Sequence, residues 1–440
     1  MGIFKAYDIR GIVPDDLDME TARRIGSALV QVLGAKTVAV GRDMRTTSPE
    51  IEDAALDGMV SAGATALDIG LCSTPMTYFA GGFHKTDAAM MITASHNPAQ
   101  YNGFKLCREE AKPMSYDSGI GEIEKMVTDN TIQKAESPGD VKKTDIWPDY
   151  IAHIRRFLKT DKPLKVVVDA GNGIAGEVVP RITEGLSLEI IPLYFELDGS
   201  FPNHEANPLK PENIRDLQKK VLEEKADIGI AYDGDGDRLM FVDEKGEAVK
   251  SDLVTVMLAH DFLKDESGGS VIYDLRSSRV VLEEIEALGG KALESRVGHS
   301  FIKELMRKTD AVFAGELSGH YYFRDNFYSD SGDITFFRVL NLLAEADKPL
   351  SEILAPWKRY NSTGEINFEV EDKDGMMEKA VSSFPDAEIT RLDGVTIKMK
   401  DWWCNLRKSN TEPVLRLNLE ADTPEKMEEM KEKVAAIIQR

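Results

Sequence analysis

The chain has 440 residues, 42% hydrophobic and 30% charged, too long for one core, so three or four domains of about 100–150 residues are expected. Acidic groups outnumber basic ones 76 to 54, for a net charge of −22; that field disfavours nucleic acid and anionic membrane as partners, and it confines any phosphate site to a local basic pocket. Cys72, Cys107 and Cys404 are scattered with no CxxC pair, the N-terminus has no apolar signal region, and no run approaches 18 uncharged apolar residues, so a reduced cytoplasmic protein is expected.

Apolar runs of strand length alternate with amphipathic stretches up to about residue 350, the rhythm of α/β layers. The N-terminal KAYDIRG contributes Tyr7 and a candidate cation, Arg10. Strands are expected at 37–40, 88–92, 165–168, 228–231, 270–273 and 311–313. Three segments resemble one another: 86–96 (TDAAMMITASH), 225–235 (KADIGIAYDGD) and 309–319 (TDAVFAGELSG). Each is a buried strand followed by a polar loop, so three related units are expected to point loops at one cleft, since ligands of open α/β sheets bind outside the carboxyl ends of strands. Pro-bearing polar stretches at 137–148 and 347–356 mark seams. Beyond them strands are expected at 365–370, 388–399 and within 406–418. Thr423 and Pro424 then open a helix that buries Met427, Met430, Val434 and Ile437. The expected organisation is three topologically similar α/β domains with mixed sheets, at 1–147, 148–250 and 251–360, and a smaller α+β domain at 361–440, around a central cleft.

The strongest chemical signal is Asp233-Gly-Asp235-Gly-Asp237-Arg238 after the strand at 228–231. Three carboxylates at period two suit a hard cation, Mg²⁺ or Ca²⁺. An EF-hand is excluded because Arg238 stands where the sharp turn needs glycine. Ser95-His96, within TASHNP, pairs a hydroxyl with an imidazole and suits a nucleophile or phosphoryl carrier; the G-x-S-x-G elbow of hydrolases is absent. Lys105 follows shortly after. Glu316, Ser318 and His320 lie in a Gly-bounded loop suited to a polyhydroxylated ligand. The run RKSNTEP from Arg407 has the composition of a phosphate cradle. Each loop alone is also compatible with an ordinary turn.

Taken together, KAYDIRG, TASHNP, DGDGDR, GELSGH and RKSNTEP, in that order, resemble the α-D-phosphohexomutase family in its phosphomannomutase/phosphoglucomutase branch. The resemblance spans the whole chain. It implies that Ser95 is a phosphoserine and that Ser95, Asp233, Asp235 and Asp237 ligate Mg²⁺. It implies that Glu316 and Ser318 hold sugar hydroxyls, with His320 in the same loop, and that Arg407, Ser409, Asn410 and Thr411 bind the phosphate that is not reacting. Arg10, His96, Lys105, Arg238 and His299 would surround the reacting centre, with Tyr7 and Arg276 on the substrate. Arg276 stands where a lysine is expected, which keeps the charge and changes the donor geometry.

The implied reaction interconverts hexose 1-phosphate and hexose 6-phosphate of mannose or glucose. Phosphoserine 95 donates to a free hydroxyl, a hexose 1,6-bisphosphate turns around, and the other phosphate returns to the serine. Lys105 and His299 are both candidate proton carriers. The competing readings are a phosphoglucosamine mutase, a metal-dependent phosphatase and a non-catalytic sugar-phosphate binder. Small sugar phosphates are the expected partners, and no obligate protein partner is implied.

Overall fold

A computed structural model describes residues 2–409 and 414–439. The first sheet is seven-stranded and runs in the order Ile9–Ile12, Tyr101–Arg108, Ala88–Ile92, Thr37–Arg42, Thr65–Leu71, Asp140–Lys143, with Lys112–Pro113 on the side of Tyr101–Arg108. The second orders Ala248–Val249, Leu239–Val242, Ile228–Tyr232, Leu164–Asp169 and Leu188–Leu193, and the third Lys291–Ser295, Ser270–Asp274, Phe313–Gly315, Tyr321–Phe323 and Ser329–Asp330.

One arrangement recurs in all three. Ala88–Ile92, Ile228–Tyr232 and Phe313–Gly315 each pair in parallel on one side, with Thr37–Arg42, Leu164–Asp169 and Ser270–Asp274. On the other side each pairs with an antiparallel return strand, Tyr101–Arg108, Leu239–Val242 or Tyr321–Phe323. The loop between outgoing and return strands is the one singled out in sequence. The aspartate before two of these strands has a shared structural task. Asp87 accepts from the backbone N–H groups of Lys36 and Thr37 at 2.8 and 2.9 Å, and Asp227 from that of Lys165 at 2.7 Å. Each carboxylate thereby satisfies otherwise unpaired donors at the start of the neighbouring parallel strand.

In the third unit the strand begins two residues later than the apolar run. The helix His299–Thr309 ends on Asp310 in the left-handed region and Ala311 N–H still bonds back to Met306, so the first sheet bond is Val312 N–H to the Ser270 carbonyl at 3.0 Å, and residue pairing starts at Phe313 opposite Val271. The first helix, Met19–Leu33, shows how local chemistry sets the bounds: Asp18 caps its first turn by accepting from Thr21 N–H, and Gly34 closes it at φ 62°.

The fourth sheet is antiparallel throughout: Asn361–Phe368, Leu415–Ala421, Trp402–Lys408, Val395–Lys398 and Glu388–Thr390. The helices Lys373–Ser382 and Pro424–Ile438 accompany it, the latter capped by Thr423 accepting from Lys426 N–H. Its fully buried positions are Met430, Val434 and Ile438, with Met427 and Ile437 at the flanks. The architecture is therefore three mixed-sheet α/β units and a C-terminal antiparallel unit. The C-terminal core is separate, whereas one apolar core runs through the first three units and includes Phe79, Tyr150, Tyr232 and Ile334. Rigid packing of those three fixes their loops relative to one another. No helix among the described residues is long and apolar enough to cross a membrane.

Candidate active site

The carboxyl ends of the three equivalent strands open onto one cleft of ≈ 1940 Å³, whose walls also include Arg407, Arg416 and Glu365 of the fourth unit. Ser95 lies just past the end of Ala88–Ile92 and is almost wholly buried. Its backbone is in the left-handed region at φ 51°, unusual for a non-glycine residue, and must be held there. Two bonds do so. Ser95 N–H donates to Thr93 Oγ1 at 2.8 Å, and Arg45 Nη2 donates to the Ser95 carbonyl at 2.8 Å. The result aims Ser95 Oγ at Asp233 Oδ2, 2.9 Å away, with His96 Nδ1 at 3.2 Å. Gly234 permits this approach, since a Cβ there would lie 2.6 Å from the Ser95 carbonyl oxygen.

Asp233, Asp235 and Asp237 converge, each offering an oxygen within 4.8 Å of the others. Asp233 Oδ1 accepts from the backbone N–H groups of Gly236 and Arg238, both at 3.1 Å, which fixes the loop. Asp235 Oδ2 accepts from Thr74 Oγ1 at 2.6 Å and Lys105 Nζ at 2.7 Å, and Lys105 also bonds Asp237 Oδ2. Burial and the charges of Asp235 and Asp237 push the Asp233 carboxyl well above its usual range. Burial acts on Asp237 in the same sense, but Lys105 and His320 outweigh it and hold that carboxyl well below. Lys105 is likewise held above the ordinary lysine value, because Asp235 and Asp237 outweigh its burial.

Among the described residues Asp235 Oδ1 is buried without a hydrogen-bond partner, and Asp237 Oδ1 faces only His320 Nε2, 3.3 Å away. Three converging carboxylates beside a serine hydroxyl, one of them with an unpaired buried oxygen and none replaced by nitrogen or sulfur, fit a small hard cation. A divalent ion would also relieve the mutual repulsion that raises Asp233.

The remaining candidates ring this centre. Arg10, on the strand paired with Tyr101–Arg108, donates to Asn97 Oδ1 at 2.6 Å and to Asp8 at 2.7 Å. Arg238 Nε lies 3.8 Å from Asp233. His320 bridges two loops: Nε2 is 3.3 Å from Asp237, and Nδ1 is 2.8 Å from Ser318 Oγ and 3.5 Å from Glu316. Burial alone would lower its pKa, but Asp237 and Glu316 raise it to about 9, so it is an imidazolium at neutral pH. Glu316 also accepts from Tyr322 OH at 2.8 Å. His299 differs in state. Burial, with Lys303 and Lys105 nearby, holds it well below the usual histidine value, and its Nδ1 is buried without a hydrogen-bond partner among the described residues. The Tyr7 ring meets it edge-on at 5.7 Å.

Arg276 is paired with Asp274 at 2.8 Å and lies 3.7 Å from Glu316 and 3.6 Å from Glu365. Glu365 gathers Arg407 at 2.8 Å and Arg416 at 3.0 Å as well, so one carboxylate ties guanidiniums of the third and fourth units. Ser409 continues the strand of Arg407, its N–H donating to the Val414 carbonyl at 3.0 Å. Asn410 and Thr411 lie outside the described residues.

Asp43, Arg45, Thr74, Glu365 and Arg416 escape a motif-based reading. Arg45 is fully enclosed: Nη1 donates to the carbonyls of Pro98 and Tyr101, both at 2.9 Å, Nη2 to those of Ser95 and Asn97, and Nε lies 3.3 Å from Asp43. Phe201 of the second unit covers the guanidinium at 5.1 Å. The available signal was position: Asp43 and Arg45 follow the carboxyl end of Thr37–Arg42, and Thr74 that of Thr65–Leu71.

Four family models cover the chain in order: phosphoglucomutase/phosphomannomutase alpha/beta/alpha domain I at residues 1–134, domain II at 148–246, domain III at 250–360, and the C-terminal domain at 365–437. The chain is 41% identical to a phosphomannomutase of Vibrio cholerae, over 95% of this chain and 94% of that protein. It is 38% identical to a phosphomannomutase/phosphoglucomutase of Pseudomonas aeruginosa, over 98% and 94%. A crystal structure of a phosphoglucomutase/phosphomannomutase family protein from Burkholderia thailandensis superposes with a TM-score of 0.93 at 34% identity, covering 99% of this chain and 97% of that one.

Proposed function

The chain belongs to the phosphoglucomutase/phosphomannomutase family, and from that premise we propose that it interconverts the 1- and 6-phosphates of mannose or glucose with Ser95 as the phosphoryl carrier. The observation that carries this reading is Ser95 Oγ, held in a strained backbone conformation and aimed at Asp233 on the floor of a cleft shared by four units. Phosphoserine 95 donates its phosphoryl group to the free hydroxyl of a hexose monophosphate: the P–O(Ser) bond breaks and the P–O(sugar) bond forms. The 1,6-bisphosphate turns around, and its other phosphate returns to Ser95.

Ser95, Asp233, Asp235 and Asp237 would hold Mg²⁺, which when bound supplies Lewis-acid charge neutralisation at the phosphoryl oxygens. Lys105, Arg10 and Arg238 add fixed positive charge where the transferring group passes. His96 sits against the serine hydroxyl and orients it. His299 suits the base that takes the hydroxyl proton, since it is neutral and its Nδ1 is unengaged. Glu316, Ser318 and His320 offer a carboxylate, a hydroxyl and a cation to sugar hydroxyls, with Tyr7 and Arg276 at the sides. Arg407 with Ser409, Asn410 and Thr411 would hold the distal phosphate, and the fourth unit would close on it about residues 360–364, where Gly364 has φ 68°. The four units proposed are 1–147, 148–250, 251–360 and 361–440, in a cytoplasmic enzyme.

The test sets mannose 1-phosphate, glucose 1-phosphate and glucosamine 1-phosphate side by side, with intact-mass analysis of the protein. Mannose and glucose phosphates are expected to turn over, with one phosphate on a fraction of the protein that disappears in Ser95→Ala along with activity. Preference for the amino sugar would move the protein to the neighbouring reaction, and an active Ser95→Ala enzyme would end the carrier reading.

A further inference from the structure

A second cavity, of ≈ 240 Å³, lies where the end of Tyr101–Arg108 meets the helix His299–Thr309, and it shares no lining residue with the central cleft. Arg108, Lys112 and Arg307 line it against a single carboxylate, Glu304. Lys112 is largely neutralised by Glu109 and Glu110, each 3.1 Å away, so the weight falls on the others.

Among the described residues, three polar atoms of the cavity lining are buried without hydrogen-bond partners: Arg108 Nε, Arg307 Nε and Ser300 Oγ. Ser300 is only 7% exposed. Two of the three atoms are obligate donors and the third is a hydroxyl free to donate. Buried polar groups left unpaired call for a partner, and a set made of donors calls for an acceptor. Arg307 is anchored by Nη2 to the carbonyls of Glu110 and Phe327, both at 2.7 Å, so it is preplaced. The Arg108 side chain makes no hydrogen bond or ion pair among the described residues, which leaves its fork available.

We propose that this cavity binds a phosphate group, as inorganic phosphate or as the phosphoryl group of a small metabolite, at the junction of the first and third units. The site has a direct route to the central cleft. Ser300 follows His299 in the same helical turn, and the Phe301 ring meets Tyr7 edge-on at 5.7 Å. An anion bridging Arg108 and Ser300 therefore braces the turn that presents His299.

Hydrogen exchange of a peptide spanning 300–307 tests this, with inorganic phosphate or a hexose phosphate as probe and chloride at equal ionic strength as control. Either phosphate is expected to protect the peptide. Arg108→Gln should raise the half-protecting concentration at least about tenfold, the loss of one charge-assisted contact, and Ser300→Ala should act in the same direction. Arg407→Ala, which disables the cleft's distal phosphate grip, should leave the protection in place. Protection by the hexose phosphate alone, still lost in Arg108→Gln, would support the site and assign it to a phosphorylated metabolite. Absence of protection in the unmodified protein, protection indifferent to Arg108→Gln, or protection lost in Arg407→Ala would overturn the proposal.

Discussion

Replacing Arg45 by Met keeps the length of the side chain and removes every donor it offers. Asp43, fully buried beside it, would lose its cation, and breaking a buried pair in this way is typically worth about 3–5 kcal/mol. Four backbone carbonyls would lose charge-assisted bonds as well. Those losses are not additive, because the loop relaxes and water enters, so a total of at least about 3 kcal/mol is expected. Against a stability of roughly 5–15 kcal/mol this is a large fraction, and it corresponds to a melting temperature lower by roughly 4 °C when the three units that share a core melt together. The loss should also depend on pH. Burial already raises the Asp43 carboxyl above its ordinary value while Arg45 opposes it; without Arg45 the folded-state value rises further above the unfolded one. The penalty is then full above the folded pKa and vanishes below the unfolded one, so the variant is most compromised at alkaline pH. Denaturant titrations at pH 6 and 8 measure this, and Asp43→Asn in the same background should restore part of the loss. Catalysis of the folded fraction should fall in kcat with KM little changed, since Arg45 faces the serine loop and not the cleft. A loss below about 1 kcal/mol, independent of pH and with kcat intact, would refute the reasoning.

Three further outcomes are expected. Asp235→Asn removes one anion from the triad and should weaken Mg²⁺ binding at least about tenfold by calorimetry, with turnover falling in step; a protein indifferent to both chelator and substitution has no catalytic metal there. Arg407→Ala should raise KM roughly tenfold and increase release of hexose 1,6-bisphosphate while Ser95 still phosphorylates, and an unchanged KM would make that loop an ordinary turn. Asp333 accepts from Tyr150 OH at 2.6 Å and Tyr232 OH at 3.1 Å, and burial raises its pKa from 3.8 to about 6. The folded state thus holds that proton more tightly than the unfolded state, and the cost of ionising it is absent below pH 3.8 and complete above about 6. Asp333→Asn should therefore gain on the parent by roughly 2–3 kcal/mol between pH 4 and pH 8; parallel stability curves would show that the carboxyl is ionised without cost.

The loops that matter were legible because each follows a continuous apolar run: Ser95, Asp233 and Glu316 stand just past strands that burial forces to be uniformly hydrophobic. Even strand ends were close where nothing competed, as at Ala88–Ile92. Phe313–Gly315 starts late because the left-handed helix exit through Asp310 and Ala311 delays entry into the sheet, a cap that the apolar run at 311–313 does not mark. The residues that lock the site escaped for a related reason. Arg45 binds main-chain carbonyls 50 to 56 positions away, and a carbonyl leaves no mark in a sequence. Glu365, inside an ordinary strand, has meaning only once Arg276, Arg407 and Arg416 are folded around it. His320 shows as a histidine in a loop, while its charge is set by Asp237 from another unit.

If the fourth unit captures ligand as proposed, that knot on Glu365 changes what capture means. The guanidiniums that would meet an arriving phosphate already have an anion, so capture is an exchange of one negative partner for another. Its net driving force is the preference for phosphate over carboxylate, smaller than the attraction of a bare charge. When the phosphate leaves, the carboxylate is at hand to take its place, so no cluster of unpaired cations has to be exposed. On the proposed mechanism, grip and release would be nearly balanced states of the same arginines, as a bisphosphate that is let go, turned and held again would require.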